Sequence, residues 1–399
     1  MRPEWRFDAP GRIRTCGLAL RRRTLYPLSY RRSKPSSLLV VELAYRTVTL
    51  PLGAPFRISR STDVEVDLVW IELTTAGVTG YGEATPQDNY GESVASAVAF
   101  LEESRGLLGD DPFDLEAIGT RLAALPGEFA AKAALDAALH DLCGKLCGRP
   151  VWQLLGIPRE SPPTSFTIWL GDPDDMGQRA ERQSAEGRFR RLKLKLGGRD
   201  GLDVERVRAV REATPLPLQV DVNEYWSLDE ALEAIPQLEQ LGVQYVEQPL
   251  PAGDSGGPEL RRRSSLPIYV DEDCHTLADI PACAERGHGV NIKLAKSGGL
   301  REAIRMVHAA RALGLGVMVG CMVESGLAIA PACPVASLCD HVDLDGNLLL
   351  AEDPWEGVEL VDGVQLPSER PGLGVAPRAS AGAAVVGAAR AQDDRPDEA

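Results

Sequence analysis

The chain of 399 residues exceeds what one ordinary hydrophobic core supports, so it reads as one large barrel with an attached module, or as two domains. With 25% charged and 44% hydrophobic residues it is neither a disordered nor a collagen-like chain, and no run of about 18 apolar residues suggests a membrane span. A net charge of −15 argues against a general nucleic-acid binder, and eight scattered cysteines read as reduced thiols of a cytoplasmic protein rather than a disulfide scaffold.

The charge is uneven. Residues 1–37 carry ten Lys/Arg against two acids, a net +8, and leave −23 on the rest. This stretch has neither helical nor strand periodicity. A transit peptide and a nucleic-acid arm are alternatives, but the segment reads best as a non-native or disordered extension and takes no part in the fold. Residues 38–160 open with β-rich runs at 39–50 and 64–74, glycine punctuation at Gly77, Gly80 and Gly82, and helical stretches at 91–106, 114–126 and 128–147. That is an α+β module.

From 161 to 350 the rhythm changes. Apolar strands begin at 165, 191, 217, 243, 267, 290 and 316, with starts 23 to 26 residues apart and helical segments such as 228–241 and 299–313 between them. A strand plus a helix every ~25 residues predicts an α/β fold: a (β/α)7-8 TIM-type barrel with an α+β capping domain. An open doubly wound sheet is the rival, weakened because no G-x-G-x-x-G opens a helix. Residues 351–375 return to the cap. Residues 376–399, rich in Ala and Gly and ending DDRPDEA, read as a disordered tail.

The barrel strands end in charges that buried strands disfavour. Lys193 and Lys195, two apart, share one face of their strand. Asp221, Glu247 and Asp271 end the next three strands, and Lys293 lies near the end of the one after. Any one of these alone is most simply a solvated strand end. Six at one height on consecutive strands point to a site at the C-terminal mouth of the barrel. Three carboxylates with no Cys or His suit a hard cation, Mg²⁺ above all. Lysines flanking such a cation suit proton abstraction next to a carboxylate. A Schiff-base lysine barrel would not need the three carboxylates.

Nine ordered motifs carry a resemblance. They are GYGEATP (80–86), AALDAALHDLCGKLCGRPVWQLLG (133–156), LKLKLGG (192–198), DVNEYWS (221–227), VEQPL (246–250), VDEDC (270–274), NIKLAKSGG (291–299), GCMVESGLAIA (320–330) and PGLGV (371–375). Together they span about 39–375 and resemble the muconate-lactonising-enzyme subgroup of the enolase superfamily, with dipeptide epimerases most similar. The resemblance implies one Mg²⁺ per subunit on Asp221, Glu247 and Asp271, with Lys195 and Lys293 as the acid/base pair and Lys193 tuning Lys195. Asn223 and Glu272 would support the metal site, Glu324 would support Lys293, and Lys296 would face solvent. The implied reaction is 1,1-proton transfer at the α-carbon of the C-terminal residue of a dipeptide, through an enediolate. N-acylamino-acid racemase, o-succinylbenzoate synthase and cycloisomerase reactions on the same scaffold are the alternatives.

VDLDGNLLL (342–350) resembles the Asp-x-Asp segment that holds a dipeptide's ammonium, so Asp343 and Asp345 are candidate substrate ligands, although Asp345-Gly346 also reads as a plain turn. In the cap loop, Arg60 fits better than Arg57 the arginine that takes a glutamate side chain. Thr167 resembles a substrate-contacting position. The expected partner is a small dipeptide, with no nucleic acid or membrane, and the resemblance implies a homo-oligomer. Cys143 and Cys147 lack a second pair for zinc, and His140 reads as packing. His275 and His341 are expected near the barrel mouth.

Overall fold

The computed structural model describes residues 41–379, so the readings of residues 1–37 and of 380–399 lie outside the described residues. The cap begins with three antiparallel strands, β1 (Glu42–Arg57), β2 (Thr62–Thr75) and β3 (Val78–Ala84), paired in that order. Leu68, Val69, Ile71 and Leu73 of β2 are fully buried. Three helices follow, α1 (Val94–Ser104), α2 (Leu115–Ala123) and α3 (Phe129–Cys147). Ser93 caps α1 by a reciprocal box with Ser96, which satisfies otherwise orphaned N–H groups.

The glycines of GYGEATP have a packing reason. A Cβ on Gly80 would stand 2.2 Å from the Ala138 carbonyl oxygen, and one on Gly82 2.0 Å from that of Ala134, because β3 lies directly on the backbone of α3. Gly82→Ala must therefore separate sheet and helix. It is expected to lower unfolding stability by roughly 1–3 kcal/mol, read from a denaturant midpoint; an unchanged midpoint would contradict this close approach.

Eight parallel strands form the second sheet: β4 (Phe166–Ile168), β5 (Leu192–Lys195), β6 (Leu218–Asp221), β7 (Val243–Glu247), β8 (Ile268–Val270), β9 (Gly289–Lys293), β10 (Gly316–Gly320) and β11 (His341–Asp343), each paired with the next. Thr164, just before β4, bridges Val342 of β11, which brings the last strand back to the first. The eighth strand is only three residues long, and its polar ends hid it from the periodicity. Along β5 and β6, Leu192, Leu194, Leu218 and Val220 join the core packed with the helices. The alternate residues Lys193, Lys195 and Asp221 meet one another inside the barrel.

His341 is not at the mouth. It starts β11, and its ring packs on Tyr245 at 4.7 Å and Tyr269 at 5.2 Å, in a cluster with Met318 that fills the opposite end of the barrel. A residue at the N-terminal end of a parallel strand is a full strand length away from the site face. The chain beyond the barrel then meets α3 again. Asp141 of α3 accepts hydrogen bonds from the backbone N–H of Tyr81 (2.9 Å) and of Leu373 (2.7 Å), tying sheet, helix and returning segment together. The tail begins later than the composition suggested. Ala376–Pro377 pairs with Trp355–Glu356, so 376–379 belong to the ordered fold. Among the described residues no helix is long and apolar enough to cross a membrane.

Candidate active site

Strand register brings the predicted charges to one height: Lys195 pairs with Asp221, and Asp221 with Glu247. Asp221, Glu247 and Asp271 are completely buried. Asp221 Oδ2 lies 2.7 Å from Lys195 Nζ and 3.1 Å from Lys193 Nζ. Lys193 also reaches Glu247 Oε2 at 2.8 Å and Asp343 Oδ2 at 2.7 Å. Lys293 Nζ sits 2.7 Å from Asp271 Oδ2. Lys195 on β5 and Lys293 on β9 are four strands apart in a ring of eight and so stand on opposite walls.

Burial works against the charge on Lys193, but Asp221, Asp343 and Glu247 outweigh it and hold its ammonium well above the usual lysine range. Lys293 is likewise held high against burial, chiefly by Asp271. Burial also opposes the charge on Asp271, yet Lys293 and Lys296 hold its carboxyl well below the usual range. Glu247 is pushed up to about 8, first by burial and then by Asp221.

Lys296 corrects the sequence reading. It is 1% exposed, and its ammonium donates to Asp271 Oδ1 at 2.5 Å and to the Asp271 carbonyl. The reason is local. Leu294–Ser297 is a single helical turn directly after β9, so a residue three on from Lys293 returns to the same side instead of continuing outward. NIKLAK contained that spacing, but only a helical turn there gives it meaning.

Several supporting groups had no signal in the sequence. Asn291 Nδ2 donates to Glu247 Oε1 at 2.7 Å. Gln248 Oε1 accepts the Asp271 N–H at 2.7 Å. Asn223 meets Asp221 through its backbone, whose N–H donates to Asp221 Oδ1 at 3.0 Å. Asn223, Glu224 and Gln248 have φ of 47°, 73° and 33°, unusual for non-glycine residues and clustered just beyond the strands that carry Asp221 and Glu247.

Each carboxylate thus has one oxygen tethered by the protein and offers the other to a cation. Asp221 is tethered by the Asn223 N–H, Glu247 by Asn291 and Asp271 by Lys296. Glu247 Oε2 and Asp271 Oδ2 make no directed hydrogen bond, only the ion-pair approaches of Lys193 and Lys293. Among the described residues no acidic, His or Cys side chains already converge as a finished metal cage, since lysine ammoniums stand between these carboxylates. An all-oxygen set with three presented oxygens, filled by cationic stand-ins, fits Mg²⁺.

A cavity of about 730 Å³ opens above this stack, between barrel and cap. Lys193, Lys195, Lys293, Thr167, Asp343 and Asp345 line it. Asp343 Oδ1 also accepts from Ser165 at 2.6 Å, and Asp345 Oδ2 accepts the Thr167 N–H at 2.6 Å. Burial, and then Asp343, push Asp345 up to about 7. Asp345 lines the cavity and also precedes the turn Gly346–Leu348. Arg60 lines the cavity from the cap and pairs with Glu272 at 3.0 Å and Glu224 at 3.4 Å. Glu272 therefore meets Arg60. His275 is near the mouth, edge-on to Tyr90 at 4.6 Å.

Glu324 is buried and pushed up to about 8 by burial and then by Glu83, with Lys293 acting in the opposite direction. Glu83, the acid of GYGEATP, was missed as a functional residue. It accepts hydrogen bonds from Trp70 Nε1 (2.7 Å), the Ser325 N–H (2.8 Å) and the Ser325 hydroxyl, and so ties β3 to the loop after β10. Burial pushes Glu83 up to about 7. Its folded pKa lies above the ordinary carboxylate value, so between about pH 4.5 and 7 the folded state binds more protons than the unfolded chain. Stability from this group is therefore lost as pH rises through that window, by roughly 3 kcal/mol at most. Glu83→Gln is expected to flatten the slope of stability against pH between 5 and 7 while lowering stability overall, because an amide cannot accept all three donors. Denaturant unfolding at several pH values measures both effects; an unchanged slope would remove Glu83 from this account.

Fold and site together define a lysine–carboxylate barrel enzyme with its active cavity under a cap. Residues 40–156 match the mandelate racemase / muconate lactonizing enzyme N-terminal domain, and 175–381 match the enolase C-terminal domain-like family. The chain belongs to this mandelate racemase/muconate lactonizing enzyme family of the enolase superfamily. It is 42% identical over 321 residues to an L-Ala-D/L-Glu epimerase of Bacteroides thetaiotaomicron, covering 79% of this chain and 82% of that one. An N-succinyl Arg/Lys racemase of Bacillus cereus superimposes with a TM-score of 0.81 at 30% identity, over 86% of this chain and 96% of its own. A dipeptide epimerase of Cytophaga hutchinsonii, solved with Mg and D-Ala-L-Val, gives a TM-score of 0.81 at 28% identity, over 86% and 97%.

Proposed function

We propose that this protein is a Mg²⁺-dependent dipeptide epimerase that inverts the α-carbon of the C-terminal residue, with L-Ala-D/L-Glu as its first candidate substrate. The observation that carries the reading is the pair Lys195 and Lys293 on opposite walls, with three tethered carboxylates between them. Asp221, Glu247 and Asp271 would hold the metal. When bound, Mg²⁺ would offset the charge that develops on the substrate carboxylate and free the lysine ammoniums from their carboxylate partners. The lysine that has lost its ammonium proton would then take the α-proton as a neutral amine and leave an enediolate, and the ammonium opposite would deliver its proton to the other face. Lys193, which shares Asp221 with Lys195, tunes Lys195 through its positive charge. Lys296 and Asn291 position Asp271 and Glu247, and Glu324 lies within electrostatic reach of Lys293.

Asp343, which pairs with Lys193, and Asp345 would hold the substrate ammonium, with Thr167 beside them. Arg60 supplies positive charge for a glutamate side chain. The same reading assigns 38–160 and 351–375 to the cap and 161–350 to the catalytic barrel. A cytoplasmic setting agrees with the seven free cysteines among the described residues.

The test is deuterium incorporation in D₂O with Mg²⁺ across a dipeptide library and N-acyl amino acids. Exchange at the C-terminal α-carbon of L-Ala-L-Glu, with L-Ala-D-Glu appearing, is expected. Exchange confined to N-acyl amino acids would reject the ammonium role of Asp343 and Asp345 and make the protein a racemase.

A further inference from the structure

A second cavity, of about 500 Å³, lies between α2, α3 and the first turns of the helix Leu300–Ala312, in the size range of small-molecule sites. Leu122, Leu125 and Leu139 form part of its apolar wall. Most charged groups around it are already tied to the protein. Lys132 donates to the Leu125 carbonyl at 2.6 Å, Asp136 accepts the Leu300 N–H at 2.7 Å, and Glu302 accepts the Leu277 N–H at 3.1 Å. Two donors are left over. Ser297 is 2% exposed with no partner for its hydroxyl, and Arg301 Nη1 is buried with no partner. Each costs free energy if it stays unmet.

The rest of the Arg301 guanidinium and that of Arg305 converge on one carboxylate, Glu116, whose side chain is 70% exposed on α2. Glu116 is the exposed partner, and its carboxylate can turn into water when another anion takes its place. Two guanidiniums and a hydroxyl beside an apolar wall suit an anionic head on an apolar body.

We propose that this cavity is a second ligand site, for a small organic carboxylate with an apolar body. Arg301 and Ser297 hold its head, and the ligand takes over from Glu116. The site is separate from the lysine–carboxylate cavity and shares no lining residue with it.

Hexanoate is a suitable probe, titrated calorimetrically into the full-length chain, with 1-hexanol as the uncharged control. A Kd of about 1 mM is expected, with hexanol at least roughly tenfold weaker. Arg301→Gln should weaken hexanoate by roughly tenfold or more. Glu116→Gln, at an exposed position and with the circular dichroism of the variant checked, should tighten it several-fold by removing the competing carboxylate. No binding at about 10 mM, equal binding of hexanol, or affinity indifferent to both substitutions would overturn the proposal; indifference to both would also place any hexanoate elsewhere, including the active cavity. If Arg301→Gln does not fold, Glu116→Gln decides alone.

Discussion

Replacing Lys195 or Lys293 by alanine is expected to abolish epimerisation, by roughly 10³–10⁴-fold or more in kcat, yet to leave half of the exchange chemistry alive. The two ammoniums stand on opposite walls, on β5 and β9, so each can reach only one face of an α-carbon held between them. Lys195→Ala should still let Lys293 exchange the α-proton of one epimer with solvent deuterium, and Lys293→Ala should preserve exchange of the other. Neither variant should interconvert the two, because inversion needs a proton on the opposite face. Mass spectrometry of each epimer in D₂O reads this directly. Loss of exchange from both epimers in both variants, or continued epimerisation in either, would dismiss the two-lysine assignment. The fold should survive, since both side chains lie at the cavity and each has few protein partners: Lys195 meets Asp221, and Lys293 meets Asp271.

Removing the metal, or Glu247 as one of its ligands, is the second large effect. Chelation should stop exchange completely, and Mg²⁺ should restore it. Glu247→Gln should lower Mg²⁺ affinity by at least ~100-fold and kcat by roughly 10²–10³-fold. Stability provides an independent readout. Mg²⁺ at a hundred times its Kd adds about 2.7 kcal/mol to the folded state, which for a chain of this size is a rise in Tm of roughly 3–4 °C. Glu247→Gln should lose most of that rise. Lys193 still meets Asp221 and Asp343, so a local loss of metal affinity is expected rather than collapse. A full Mg²⁺-dependent shift in Glu247→Gln would place the metal elsewhere.

The sequence carried the barrel because each strand is a short apolar run at a nearly constant interval. β5 at Leu192–Lys195 and β7 at Val243–Glu247 fall within the stretches read from periodicity, and the helix Leu228–Gln240 matches the one expected at 228–241. Charged residues on those strands were equally legible, since a buried strand tolerates a lysine or carboxylate only where it meets a partner or a substrate. The eighth strand, His341–Asp343, was not legible as a strand, because only Val342 of its three residues is apolar, whereas the equally short β4 and β8 are largely apolar.

The sequence by itself therefore determined the fold class, the six charged groups at the mouth, and the family motifs. The tertiary structure alone decided which groups hold those charges in place. Glu83 finds Ser325 across 242 residues, and Arg60 finds Glu272 across 212. Lys296 reaches Asp271 because one helical turn folds it back beneath Lys293. His341 sits at the far end of the barrel from the aspartate two residues later. Local patterns set which face a residue takes along its own element. Which distant residue meets it there depends on how the eight strands close, and that closure is a property of the whole packed chain.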